Sequence, residues 1–157
     1  MKNVTVVRYK QQLDNLFKKI SQLPEDTEMQ SHWSRYLCIR VSGFLEVSVR
    51  SIYSQYAKDK ASPFVANYIE KQLSGFQNPN MQKILNIAGS FNPEWSDELG
   101  KFVQGEIQDA INSIVVNRNK IAHGDNVGIT YVRIKAYYQN AVKLVDMLEE
   151  LCEGKSV

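Results

Sequence analysis

The chain is 157 residues long, 43% hydrophobic and 23% charged, with 4 Pro and 8 Gly, the makeup of an ordinary soluble globular protein with enough length for one sizeable core. Its formal net charge of +2 is too small to mark a nucleic-acid binder by itself, so any such case rests on local charge. Cys38 and Cys152 are the only cysteines and form no C-x-x-C, which speaks against a disulfide framework or a zinc site and for a reducing compartment.

The opening stretch "MKNVTVVRYKQQ" has no long apolar core after its basic residue, so it does not read as a signal peptide. No apolar run approaches the length that spans a bilayer. The expectation is a cytoplasmic protein with no membrane span, folded as a single domain over residues 1–157.

Apolar spacing reads as helix nearly everywhere. Leu13, Leu16, Phe17, Ile20 and Leu23 make a first amphipathic stripe, stopped by Pro24. A long second helix runs from about Asp26 to Ala57, its buried face marked by Trp33, Tyr36, Leu37, Val41, Phe44, Leu45, Ile52 and Tyr53. Its middle, "YLCIRVSGFLEVSV", is apolar almost all round, which predicts a central position. Ser62 and Pro63 read as N-cap and first helical residue of a helix carried by Phe64, Val65, Tyr68, Ile69 and Leu73. After the turn cluster "FQNPN", Met81, Ile84, Leu85 and Ala88 make another short helix, and "SFNPEW" is a second break.

From about Glu94 to Ala122 the pattern is helical again, with Gly100 and Gly105 as candidate interruptions. "HGDNVG" is a stop and loop, and Thr130 reads as the N-cap of a last helix through Val132, Ala136, Tyr137, Leu144, Val145 and Leu148. No stretch alternates convincingly with period two. The fold class is all-α: a bundle of four long helices, with two short helices between the second and third long ones.

One stretch stands apart: "IVVNRNKIAHGDN", residues 114–126. Its plainest reading is a helix end, where basic residues and a glycine suit the last carbonyls and the negative end of the helix dipole. Its chemical reading rests on Arg118, Asn119 and His123. Arg holds a phosphate bidentately and stabilises extra negative charge, His moves a proton near neutral pH, and Asn can orient either. The five-residue offset from Arg118 to His123 sets them apart around a helix axis, and a loosening of the last turn at Gly124 would bring them together. The set suits phosphoryl chemistry on RNA without a metal: His takes the proton of a 2′-hydroxyl that attacks the neighbouring phosphate, and Arg stabilises the pentavalent oxyanion.

Local charge agrees. Between Ser113 and Lys135 the basic residues Arg118, Lys120, Arg133 and Lys135 face only Asp125, a local balance of +3. Lys120, Arg133 and Lys135 are therefore candidate RNA contacts, with Tyr131, Tyr137 and Tyr138 nearby as stacking surfaces or as core and rim residues. Glu46 and Arg50, four apart on the second helix, read as an i,i+4 ion pair; the functional alternative sets Glu46 near Arg118, fixing its guanidinium. No metal-ligand spacing, glycine-rich phosphate loop or nucleophile elbow is present, so no metal and no cofactor is expected.

The "RNKIAHG" stretch, after one helix and before the last helix of an all-α chain, resembles the signature of HEPN domains: Arg, a polar residue, then His after four to six intervening residues. Arg118, Asn119 and His123 match each element. "HWSRYLCIRVSGFLEVSVRSIY", "SPFVANYI" and "FQNPN" look like the RiboL-PSP-type HEPN branch, and the resemblance runs from about His32 onward. It implies a helical bundle that dimerises around a metal-independent ribonuclease site, with Arg118, Asn119 and His123 catalytic. It also implies a role as a toxin, with an antitoxin such as a small nucleotidyltransferase as partner, or in defence against phage. The alternative is a non-catalytic HEPN module that binds RNA, a nucleotide or a protein. The histidine count adds its own argument for a homodimer. Cleavage gains from both a base and an acid, yet the chain has only His32, read as a surface or capping residue, and His123. A twofold dimer supplies two copies of the motif.

Overall fold

The computed structural model describes residues 1–24 and 26–154. Among them the chain forms seven α-helices and no strand: α1 (Val4–Ser21), α2 (Thr27–Lys60), α3 (Pro63–Ser74), α4 (Met81–Phe91), α5 (Pro93–Val103), α6 (Glu106–Ala122) and α7 (Tyr131–Cys152). The all-α expectation holds, with one change of count. The segment expected as one long helix from Glu94 is two, because Gly105 takes φ 85°, a left-handed conformation that ends one helix and that glycine adopts without a Cβ clash. The bundle therefore has four long helices and three short ones.

The helix starts follow local chemistry. Asn3 caps α1, its side chain accepting from the backbone N–H groups of Thr5 and Val6. Asp26 does the same for Glu28 and Met29 at α2, and Thr130 for Arg133 at α7. Each cap satisfies donors that the first turn leaves orphaned. Ser62 stands at the N-cap of α3 without a side-chain hydrogen bond, and Pro63 alone supplies the start signal there.

α2 is the spine. It packs against α1, α3, α6 and α7, and Leu37, Cys38, Val41, Phe44, Leu45, Val49 and Tyr53 are fully buried along it. Two expected apolar contributions lie outside the core. Tyr36 is 40% exposed, and Phe64, Val65 and Tyr68 on α3 are exposed. α3 lies against α2 on one side only and spends Ala66, Ile69 and Leu73 on that contact, so the rest of its apolar residues face water.

Side-chain pairings give the directions of the helices. Along α1 and α2, Asn3 meets Ser51 and Tyr9 meets Arg40, so the two run antiparallel. Along α1 and α7, Asn3 meets Glu149, Asp14 meets Tyr138 and Phe17 meets Tyr131, again antiparallel. Glu106 on α6 meets Asn140 on α7, and residues 123–130 are enough chain to return from the end of α6 only if α6 and α7 are antiparallel. α6 is therefore antiparallel to α2 as well. The end of α1, the start of α2, the end of α6 and the start of α7 share one end of the bundle.

The opposite end is tied by a buried carboxylate. Glu149 is 8% exposed and accepts from the backbone N–H of Lys2 at 2.6 Å and of Asn3 at 2.9 Å. Asn3 in turn accepts from the Ser51 hydroxyl at 2.9 Å and donates to the Ser51 carbonyl. One network thus fixes α1, α2 and α7 in register.

At the centre, Phe44 packs edge-on to Tyr138 with ring centroids 5.8 Å apart and tilted to Tyr9 at 6.0 Å. Phe44→Ala should cost about 3–5 kcal/mol, read as a lower urea midpoint with an unchanged slope. A loss below about 1 kcal/mol would mean that the three-helix contact around Phe44 is not tightly packed.

Candidate functional site

α6 buries one stripe, on which Ile111 and Ile114 are fully buried and Ile107 packs against the core. Arg118 is the next residue on it, four past Ile114. It is half-buried, and its Nη1 donates to Asn119 Oδ1 at 3.3 Å. Asn119, also half-buried, stands at the rim of an open 430 Å³ groove between α4 and α6, beside Val115 and Val116.

The last turn does not loosen. His123 N–H donates to the Asn119 carbonyl at 3.1 Å, which keeps the α-helical spacing up to the cap. Gly124 N–H then donates to the Ile121 carbonyl and Asp125 N–H to the Lys120 carbonyl, at 3.1 and 2.9 Å, with Gly124 at φ 79°. This is a Schellman closure, which satisfies the last carbonyls. His123 is exposed at the cap. The five-residue offset is therefore kept: Arg118 lies on the inward stripe, His123 projects from another side, and no hydrogen bond joins them among the described residues.

α6 also outruns its neighbour. Cys38 Sγ donates to the Ile114 carbonyl at 3.6 Å, which sets the register of α2 on α6. Burial pushes the Cys38 thiol up to about 12, so it stays a neutral donor. With Glu106 level with Asn140, the start of α7 lies about level with Ile114 and Val115. The final two turns of α6, about 10 Å, run beside α2 with no α7 alongside. The returning loop covers that end instead, through buried Val127 and Ile129.

Of the remaining candidates, the basic residues at the end of α6 and on α7 fall around this end, and Glu46 and Arg50 do not. Lys120, Arg133 and Lys135 are all exposed. Lys135 lines an open groove of 420 Å³ between α1 and α7 together with Lys18, Phe17, Tyr131 and Tyr138. His32 is exposed on the first turns of α2. Glu46 and Arg50 form the i,i+4 pair at 3.0 Å, and Arg50 also donates from Nε and Nη2 to the Phe76 carbonyl at 3.0 and 2.7 Å. That pair holds the turn after α3. The Arg118 guanidinium has its hydrogen bond to Asn119 instead.

Arg35 lies outside the motif, yet the structure sets it at the same end. Its Nη2 donates to Ser31 Oγ at 3.1 Å, while its Nε is buried with no hydrogen-bond partner. Its signal in the sequence is positional: it shares a helical stripe with Cys38.

A family model described as RiboL-PSP-HEPN matches residues 5–154. The chain belongs to this HEPN family. No curated protein and no solved structure matches it. In this HEPN chain the basic motif end is built without a metal-binding cluster: among the described residues no group of three or more His, Cys, Asp or Glu is placed to hold a metal ion. Nor is any described helix long and apolar enough to cross a membrane. The chemistry within reach is that of a half-buried guanidinium, an amide that orients it and an exposed imidazole, on a helix end whose geometry is set by Gly124.

Gly124 has open space where a Cβ would stand, so Gly124→Ala should cost only the left-handed backbone, about 1–2 kcal/mol. Gly124→Asn should cost less. Urea denaturation of the two variants checks the order; an Ala variant as stable as wild type would contradict the closure described here.

Proposed function

We propose that this HEPN protein is a metal-independent endoribonuclease for single-stranded RNA, acting as a toxin or anti-phage effector through a composite site at a twofold dimer interface. The observation that carries the reading is the division of the motif. Arg118 and Asn119 are paired on the inward side of the last turns of α6, while His123 is exposed at the cap. A second copy facing this end brings a second imidazole and a second guanidinium to one cleft, which suits a reaction that needs a base and an acid.

His123 accepts the proton of the 2′-hydroxyl. The 2′-oxygen bonds to phosphorus, and Arg118 stabilises the charge that builds on the equatorial oxygens. The bond from phosphorus to the 5′-oxygen breaks, and that oxygen takes a proton from the protonated His123 of the partner subunit. The products are a 2′,3′-cyclic phosphate and a 5′-hydroxyl. Asn119 holds the Arg118 guanidinium, and Lys120, Arg133 and Lys135 supply phosphate contacts that raise affinity in a salt-dependent way.

Cleavage of a mixed RNA pool should survive EDTA and leave cyclic phosphate ends. His123→Ala should slow it by ~10²–10⁴-fold and Arg118→Ala by ~10²–10³-fold or more, both with wild-type helix content. A requirement for added magnesium, or full activity in His123→Ala, overturns the mechanism. If wild type binds RNA and never cuts it, the chain is a non-catalytic HEPN binding module.

Light scattering at micromolar concentration should give a dimer of about 36 kDa, twice the 18.0 kDa chain. A strict monomer that still cleaves RNA removes the composite site.

A further inference from the structure

The seam between α2 and α6 carries a feature that the HEPN motif does not include. On α2, Ser31, Arg35, Cys38, Ser42, Leu45 and Val49 follow the three- and four-residue spacing of one helical face. Cys38, Ser42, Leu45 and Val49 are buried, and Cys38 reaches the Ile114 carbonyl of α6. Arg35 therefore sits on the stripe turned toward α6, just where that stripe leaves the core. Arg118 occupies the matching place on α6, four residues past Ile114. Counting outward from the Cys38–Ile114 pair along antiparallel helices sets Arg118 level with Ser34.

Side chains lean toward the N-terminus of their own helix, and the Arg35 hydrogen bond to Ser31 shows that lean. Its guanidinium is thus carried outward, to the level of Ile121 and Ala122, beside the turn that ends in His123. The hydrogen bond to Asn119 keeps the Arg118 head near its own level, so by this count the two guanidiniums lie within about one turn of each other along the axis. Among the described residues, no carboxylate pairs with either. Arg35 Nε is also buried without an acceptor.

Burying a charged donor unpaired is costly, and setting a second cation beside it adds repulsion. An anion against the open side of the two guanidinium heads offsets both charges at once and lowers the cost of the buried Nε. We infer that Arg35 is a phosphate-binding residue, forming with Arg118 a two-arginine site for the phosphodiester of a single RNA strand at the open end of the α2–α6 seam. This rests on the ribonuclease reading for its ligand and goes beyond it in assigning Arg35, which lies far from the motif in sequence.

The test separates binding from cutting. A 2′-O-methyl oligonucleotide lacks the attacking hydroxyl, so its affinity reports the phosphate site alone. Wild type, Arg35→Met and Arg35→Lys are titrated with it by fluorescence anisotropy across a range of NaCl, and each is melted with and without inorganic phosphate at constant ionic strength. Arg35→Met should bind about 10-fold or more weakly, the loss of a charge-assisted hydrogen bond. Its salt slope should be shallower by about 0.7, one phosphate contact on a single strand. Arg35→Lys should keep the wild-type slope and lose part of the affinity, since it keeps the charge but not the fork. Without ligand, Arg35→Met should melt at or above the wild-type temperature, because it removes an unpaired buried donor. Phosphate should raise its melting temperature less than that of wild type.

Equal affinity and slope in wild type and Arg35→Met overturns the proposal. So does a fall in melting temperature in both variants without a change in binding, and so does failure of both to fold, since either makes Arg35 a structural residue. Cleavage of the matching all-RNA strand is scored separately. If wild type binds through Arg35 and never cuts, the nuclease reading fails while the phosphate site stands. If wild type cuts, and Arg35→Met binds and cuts equally well, the reverse holds.

Discussion

The structure depends on burying α2. At 34 residues it is about 50 Å long, and its middle is apolar on nearly every side. No single partner can cover such a helix, so it must be wrapped. α1, α3, α6 and α7 do this, and each is shorter than α2: 18, 12, 17 and 22 residues. Short walls around a long spine are necessarily staggered. The stagger leaves one end where α2 and α6 continue past α7, closed by a loop that tucks in Val127 and Ile129.

The charged side chains settle at that end for the same reason. An arginine can lay its aliphatic stem along a seam only if its head reaches water. Deeper in the seam the same stripes carry Cys38, Leu45, Val49, Ile111 and Ile114, all fully buried. One turn further out they carry Arg35 and Arg118, both half-buried. Two half-buried or buried carboxylates elsewhere in the bundle are committed to structural tasks. Glu149 holds the lead into α1, and Glu46 holds Arg50 and through it the turn after α3. The motif end is left with positive charge at the seam, an imidazole at the cap and a rigid glycine closure between them. In the function proposed, unpaired cations and an imidazole at this end suit a polyanion, and the division of the motif across α6 suits a second copy of the chain.

Much of the fold was legible in the sequence because it is written in local chemistry. Thr130 as a cap, Pro63 as a start, Gly124 as a stop and the all-round apolar middle of α2 each act within a few residues. The break at Gly105 was visible only as a candidate, because a lone glycine in a helical pattern is as often tolerated as not. The exposure of Phe64, Val65 and Tyr68 was not legible at all. Periodicity tells which residues share a face, and whether a second element covers that face is settled by packing.

The sequence by itself determined the helical class, most of the helix ends, the HEPN motif of Arg118, Asn119 and His123, and the local surplus of basic charge around it. Spacing and capping are properties of neighbouring residues, so they survive without a fold. The structure adds that the local closure at Gly124 keeps α6 helical up to the cap and so holds Arg118 apart from His123. Only the tertiary structure decided that Arg35, 83 positions before Arg118, reaches the same end of the bundle. That placement turns on the register of α2 against α6. That register follows from how the whole wrapped core closes, and no short stretch of chain encodes it.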